Sequence, residues 1–227
     1  MPPPVGQGCT RCRVGTRATL ARMSAGTIDD VRRARRVLCF GVTGSGRSTL
    51  ATALAERLGL PVVLMDDLCW DPGWVQPPRA ELDARVLPVL DREAYVADTV
   101  YGIHNRAALE RVDVIVGLDY PRLVSLGRLV RRTARRLRTR ERVCNGNVET
   151  LRLVLARDSI IVWHFRSRRS KRERMRAWRA DAAAPPVLLL RTPADADRLL
   201  AALDRGSRDA ESLGNADQRW TRRMASA

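Results

Sequence analysis

Gly41-Val42-Thr43-Gly44-Ser45-Gly46-Arg47-Ser48-Thr49 decides how the rest of this sequence is read. The stretch fits G-x-x-x-x-G-[KR]-[ST]. It stands between a short apolar run, Val37-Leu38-Cys39-Phe40, and Ser48–Leu58, where apolar residues recur at helical spacing up to a stop at Gly59. A strand, a glycine-rich loop and a helix in that order form a phosphate cradle. Small residues let successive N–H groups turn around an anion, the helix N-terminus adds partial positive charge, and the Ser48 hydroxyl can ligate a magnesium ion. Gly41, Thr43, Gly44, Ser45, Gly46, Arg47, Ser48 and Thr49 are therefore the expected nucleotide-binding residues. Arg47 stands where lysine is usual in this pattern. Its guanidinium keeps the charge but is broad, planar and fork-shaped, where an ammonium is a compact point charge, so its best geometry between two phosphates differs.

Outward from the loop, strands alternate with helices. Pro61–Met65 reads as a second strand ending in Asp66-Asp67, and a turn-rich segment from Trp70 to Trp74 leads to a helix over about Pro78–Arg92, kinked near Pro88. Ala94–Asp98 is a third strand. Asp113–Asp119 is a fourth, apolar without alternation as expected when both faces are buried. A long basic helical stretch follows Pro121, breaks around Cys144-Asn145-Gly146-Asn147 and resumes from Thr150 to about Trp178. Val187–Arg191 is a fifth strand, and Thr192-Pro193 opens a last helix ending near Leu203. This alternation predicts a parallel sheet covered on both faces. Residues 1–36, with Pro2-Pro3-Pro4 and a lone Cys9-x-x-Cys12, read as a flexible leader, residues 37–204 as the domain, and residues 205–227 as a polar tail. Met23, or a valine codon at Val31, is a candidate for a later translation start in the natural product.

The chain has 227 residues, 45% of them apolar, enough for one core. No run reaches the ~18 apolar residues of a spanning helix, and the arginines among the first thirty residues do not spell a secretory signal. A cytoplasmic location is the expectation, with the five cysteines as reduced thiols. The net charge of +16 is concentrated: residues 122–179 hold 19 basic and 4 acidic side chains, or +15, while the segments on either side are close to neutral. Of the 41 basic residues only Lys171 is lysine. Charge of one sign held on one element repels itself, which is easier to explain if a polyanion sits there. His104 and His164 have no ligand cluster around them and do not suggest a metal site. Cys144 lies among arginines expected to lower its pKa, without a catalytic partner.

From Val37 to Leu203 the chain resembles the adenylate-kinase-like P-loop kinases, and within them the topology modulation proteins. The resemblance rests on the phosphate loop, L-M-D-D-L-C-W-D-P-G-W at 64–74, Y-V-A-D at 95–98, E-R-V-D-V-I-V-G-L-D-Y-P-R at 110–122 and R-T-P at 191–193. It implies a three-layer αβα P-loop NTPase fold, a five-stranded parallel sheet of order 2-3-1-4-5, and a helical lid over about residues 135–172. The implied activity is transfer of the γ-phosphoryl group of ATP, with Mg2+, to a nucleotide or other small hydroxyl acceptor. By the same resemblance Asp98 would join Ser48 in holding the metal, and Asp66, backed by Asp67, would face the acceptor. Arg128 and Arg132, four residues apart on one helix face, would cover the donor phosphates and base. Asp119 is expected to be structural. Trp70 and Trp74 beside the acceptor carboxylate fit core packing or an acceptor wall. A second expectation, from a different class, is a nucleotide-responsive protein whose basic arm contacts nucleic acid.

Overall fold

A computed structural model describes residues 25–157 and 159–205. The Cys9-x-x-Cys12 pair, the start of the leader and the tail beyond 205 lie outside the described residues. Five strands, β1 (Arg36–Gly41), β2 (Val62–Val63), β3 (Tyr95–Ala97), β4 (Val114–Leu118) and β7 (Val187–Leu190), form one parallel sheet of order β2-β3-β1-β4-β7. This is the 2-3-1-4-5 order, since the short strands β5 (Arg142–Val143) and β6 (Asn147–Val148) pair only with each other. All five residues of β4 are buried, which explains its unbroken apolar composition.

Alternation along β1 divides the core. Leu38 and Phe40 join one apolar cluster with Met175 and Trp178, while Val37 and Cys39 join the other with Leu50, Leu54 and Leu199. Helices α3 (Met65–Cys69), α4 (Arg79–Leu90), α5 (Asn105–Leu109) and α8 (Ile160–Ala180) contribute to the first cluster. Helices α1 (Ile28–Arg33), α2 (Arg47–Leu58) and α9, described over 193–205, contribute to the second. The result is the expected three-layer αβα arrangement. Between β4 and α8 stand α6 (Arg122–Thr139), the β5–β6 hairpin and α7 (Leu151–Leu155). No described helix is long and apolar enough to cross a membrane.

Three sequence expectations change. The stretch from Thr150 to about Trp178 is not one helix: Ala156 is extended after α7, and α8 starts anew with the Ser159 side chain accepting from the Val162 N–H. The leader does not extend to residue 36, because Ala25 bridges Val187 in parallel and α1 follows with its own capping box. Thr27 accepts from the Asp30 N–H, the Asp30 carboxylate accepts from the Thr27 N–H at 2.7 Å, and Val31 is fully buried against the sheet. The second strand is also shorter than Pro61–Met65. After Val63 the chain turns into α3, so Asp66 and Asp67 occupy the first turn of a helix and not a strand end.

Candidate functional site

The loop between β1 and α2 is held by its carbonyls. Lys171 Nζ donates to the Gly41 carbonyl at 3.2 Å, and Ser45 N–H to Val42 at 3.1 Å. His164 Nδ1 lies 2.9 Å from the Thr43 carbonyl, and Arg128 Nη1 donates to that of Ser45 at 3.2 Å. His164 is buried and its pKa is lowered, chiefly by desolvation, with Arg168 and Arg122 adding to the effect against the Thr43 bond. It is therefore neutral near pH 7 and donates through Nδ1. At the other end of the loop, Gly46 takes φ 93° as it enters α2, whose N-terminus has no side-chain cap. Carbonyls are occupied and the first amides of a helix are left uncapped, the electrostatic condition for anion binding. The buried Ser45 Oγ also lacks a hydrogen-bond partner.

Gly44 takes φ +81° where α6 crosses the loop; a Cβ there would lie 2.5 Å from the Ser125 carbonyl oxygen and 2.7 Å from Leu129 Cβ. That close approach puts Arg128 and Arg132 on the loop side of the molecule. Arg128 also lies 5.5 Å from the Tyr120 ring centroid. Arg132 is largely desolvated, its Nε lacks a partner, and its pKa is lowered by burial and by Arg136, against the pull of Glu149 and Asp66.

At the start of α2, Ser48 Oγ donates to Asp98 Oδ2 at 2.6 Å. Asp98 is 1% exposed, and its Oδ1 accepts from the Met65 N–H at 2.9 Å. The expected metal pair is therefore together, because β3 lies directly beside β1. A hydroxyl and a carboxylate are hard oxygen donors, and the set fits magnesium completed by water and phosphate oxygens. Arg47 turns its guanidinium to Thr99 Oγ1, one residue beyond Asp98.

Asp66 faces this centre from α3. Its Oδ1 accepts from Tyr101 Oη at 2.6 Å, and that hydroxyl in turn accepts from Trp70 Nε1 at 2.7 Å. Burial and the Asp66 charge push the Tyr101 pKa up, so the phenol stays protonated and donates. Asp67, more exposed, has a raised pKa from desolvation and from repulsion by Asp66 and Asp98.

The β5–β6 hairpin closes over this corner. Asn145 Nδ2 donates to the carbonyls of Asp67 at 2.8 Å and Trp70 at 2.7 Å, while Asn147 takes the Trp74 N–H at 2.9 Å and donates to the Asp71 carbonyl at 3.0 Å. Positive φ at Cys144, Asn145 and Gly146 makes the tight turn. Arg136 anchors the hairpin base through Glu149 at 2.9 Å. Cys144 departs from expectation: desolvation, with Asp66 and Asp67, outweighs Arg136 and pushes the thiol up to about 11. Trp70 and Trp74 stack edge to face, and both indole N–H groups are hydrogen-bonded. Asp119 forms a two-point pair with Arg172, away from this centre. Among the described residues no cluster of three or more His, Cys, Asp or Glu forms a metal site.

Thr99, Tyr101, Asn145, Asn147, His164 and Lys171 complete the site and were not singled out for it by their sequence context. No family model matches the chain, and no curated protein does. Among solved structures, a gluconokinase from Sinorhizobium meliloti 1021 is similar at TM-score 0.45 and 16% identity, over 78% of this chain and 96% of its own. Deoxyadenosine kinase from M. mycoides, solved with bound dCTP, is similar at 0.42 and 11%, over 74% and 98%. Similarities this distant say nothing about chemistry.

Proposed function

We propose that this chain is an ATP-dependent phosphotransferase of the adenylate-kinase-like class, moving the γ-phosphoryl group of ATP to a nucleotide or another small hydroxyl acceptor. The observation that carries the reading is the meeting of three groups around one loop. These are the uncapped start of α2, the Ser48–Asp98 pair at 2.6 Å, and the Asp66–Tyr101 pair facing them under the docked hairpin. The amides of Gly44–Thr49 would receive the β- and γ-phosphates, and Arg47, Arg128 and Arg132 would offset the charge that spreads during transfer. Ser48 and Asp98 would hold Mg2+, which when bound neutralises phosphate charge and polarises the transferred group. Asp66, oriented by Tyr101, would accept the proton of the acceptor hydroxyl as its oxygen bonds to phosphorus and ADP leaves. The hairpin would exclude water from that step.

The test is a screen of nucleoside monophosphates and small alcohols for ADP release with ATP and magnesium. Acceptor-dependent release, lost in Asp66→Asn while ATP binding is kept, is the expected result. Calorimetry showing no heat, and no thermal protection, with ATP or ADP would overturn the reading.

The alternative, a nucleotide-responsive protein with a nucleic-acid-binding arm, draws on another surface. Arg122, Arg168, Arg172, Arg176, Arg179 and Arg191 line a cavity of about 670 Å3 beside Asp119. DNA affinity that falls steeply with salt, without ADP release, would favour it. The catalytic reading takes precedence because it accounts for Ser48, Asp66 and Asp98, which nucleic-acid binding leaves unused.

A further inference from the structure

Forty of the chain's 41 basic residues are arginine, and the single lysine stands at the phosphate loop. Lys171 lies on α8, 130 residues after Gly41 in sequence, with its Nζ 3.2 Å from the Gly41 carbonyl oxygen and 5.7 Å from the centroid of the Phe40 ring. His164, Lys171, Met175 and Trp178 recur at helical spacing and share one face of α8. Met175 and Trp178 are packed in the core, while His164 and Lys171 reach the carbonyls of Thr43 and Gly41. The placement of the ammonium is therefore fixed by a rigid helix. At the loop's own cationic position the guanidinium of Arg47 is committed to Thr99.

We propose that Lys171 supplies, from α8, the compact ammonium that the loop lacks at residue 47, and that it contacts the β- and γ-phosphates of the bound nucleotide. The assignment rests on the reading of the loop as a triphosphate site. An ammonium has three donors on one small centre; one is used on Gly41 and two remain for phosphate oxygens, a geometry the planar fork of arginine does not reproduce. The groups whose charges act on it are Arg47 from α2, Asp66 from α3, Asp98 after β3 and Arg174 from its own helix. Its hydrogen-bond partner is a carbonyl and not a carboxylate, so no acidic contact secures the proton on the amine. Burial and Arg47 push its pKa well below the ordinary lysine range, and an incoming polyanion favours the protonated, ammonium form.

Two experiments on the full chain test this. In the first, calorimetry with ATP and magnesium compares wild type, Lys171→Met, Lys171→Arg and the double variant Arg47→Lys/Lys171→Met. Lys171→Met and Lys171→Arg are each expected to weaken ATP at least about 10-fold, and the double variant to return to within about 3-fold of wild type, because the point charge is back in the loop. Wild-type affinity in Lys171→Arg, or a double variant as weak as Lys171→Met, assigns Lys171 to clamping Gly41 alone and overturns the proposal. The second uses the wild-type chain, so it does not depend on a variant's folding. Pyridoxal phosphate condenses with the amine, losing water, and borohydride reduces the imine to a stable label read by peptide mass spectrometry. Labelling of Lys171 that ATP blocks and adenosine does not is the expected result. Failure of Lys171 to label, or labelling indifferent to saturating ATP, overturns the proposal while leaving the phosphate loop standing. A wild-type chain that binds no ATP overturns the loop reading itself, and the proposal with it.

Discussion

Three Gly→Ala substitutions share one chemical change and have different expected outcomes, which makes them a direct measure of how α6 is seated on the phosphate loop. At Gly44 the new methyl would lie 2.5 Å from the Ser125 carbonyl oxygen and 2.7 Å from Leu129 Cβ, at φ +81°. The left-handed backbone costs about 1–2 kcal/mol for a residue with a Cβ, and forcing a methyl into a packed site adds roughly 1–3 kcal/mol. Gly44→Ala is therefore expected to destabilise by about 2–5 kcal/mol, or roughly 4–20 °C in Tm for a domain of this size. Gly59 has a similar φ of +64° but nothing within 4 Å of the added methyl, so Gly59→Ala isolates the backbone contribution at about 1–2 kcal/mol. Gly127 lies inside α6 with open space around it, and Gly127→Ala is expected to stabilise by about 0.5–1 kcal/mol. Thermal melts and urea unfolding of the three variants, with ATP titrations on each, provide the assay. Only Gly44→Ala should lose ATP affinity, because only it displaces the helix carrying Arg128 and Arg132. A Gly44→Ala protein that melts with Gly59→Ala and binds ATP as wild type does would refute the contact between α6 and the loop, and with it the placement of both arginines.

Asp98→Asn keeps the shape of a side chain that accepts from Met65 and Ser48, so its Tm should stay close to wild type. The magnesium needed for half-maximal ADP release should rise by about 10–100-fold, the range for losing a partner at a metal site; an unchanged magnesium dependence would remove Asp98 from that site. Asn145→Ala deletes two hydrogen bonds to the Asp67 and Trp70 carbonyls, at about 0.5–1.5 kcal/mol each. Hydrogen exchange over 142–148 should quicken several-fold with the global melt unaltered, and unaltered exchange there would show that the hairpin is held by other contacts. For His164 the folded pKa is below its unfolded value of about 6.5, so the stability it contributes is complete above that pH. That stability drains as pH falls through the folded value, because the unfolded chain takes the proton first. Melts from pH 8 to pH 5 should show an acid limb in wild type that His164→Asn flattens, and identical limbs would contradict a buried neutral histidine.

The parts of the fold legible from sequence were those encoded over short windows. A buried parallel strand reads as Val114–Leu118, and a phosphate loop needs only glycines at fixed spacing before a helical period. Helix α1 escaped because its six residues carry too little period, although Thr27 and Asp30 spell a capping box at the right spacing. The turn of helix at Met65–Cys69 escaped because an apolar run ending in two aspartates suits a strand end equally well. Strand order followed from the family resemblance, since local pattern says which segments are strands but not which are neighbours. The site itself was half legible. Ser48 follows from the phosphate-loop pattern, and Asp66 and Asp98 follow from the family resemblance. His164, Lys171 and Asn145 join it across 121, 130 and 78 residues, on helix and hairpin positions whose local sequence is simply basic or polar. In so arginine-rich a segment, the single lysine was the one compositional signal available for any of them.

The basic surplus acquires a physical division once the contacts are known. On the elements from α6 to α8, Arg135, Arg136, Arg169 and Arg172 pair with Glu141, Glu149, Glu173 and Asp119. The Arg135–Glu141 and Arg169–Glu173 pairs are exposed, contribute little to stability and are screened by salt, whereas Arg136–Glu149 and Arg172–Asp119 are partly buried. Arg132 and Lys171 belong to a different population. Both are desolvated, both have pKa values lowered by burial and by a neighbouring cation, and both are coupled to Arg47 and Asp66. Basic side chains brought together beside one loop make one another costly to charge where water screens them least. Asp66 and Asp98 offset part of that repulsion, but Asp98 already accepts from Met65 and Ser48, and Asp66 from Tyr101. A site that holds positive charge at such expense is preorganised for anions, since the repulsion is incurred in the free protein and relieved on binding.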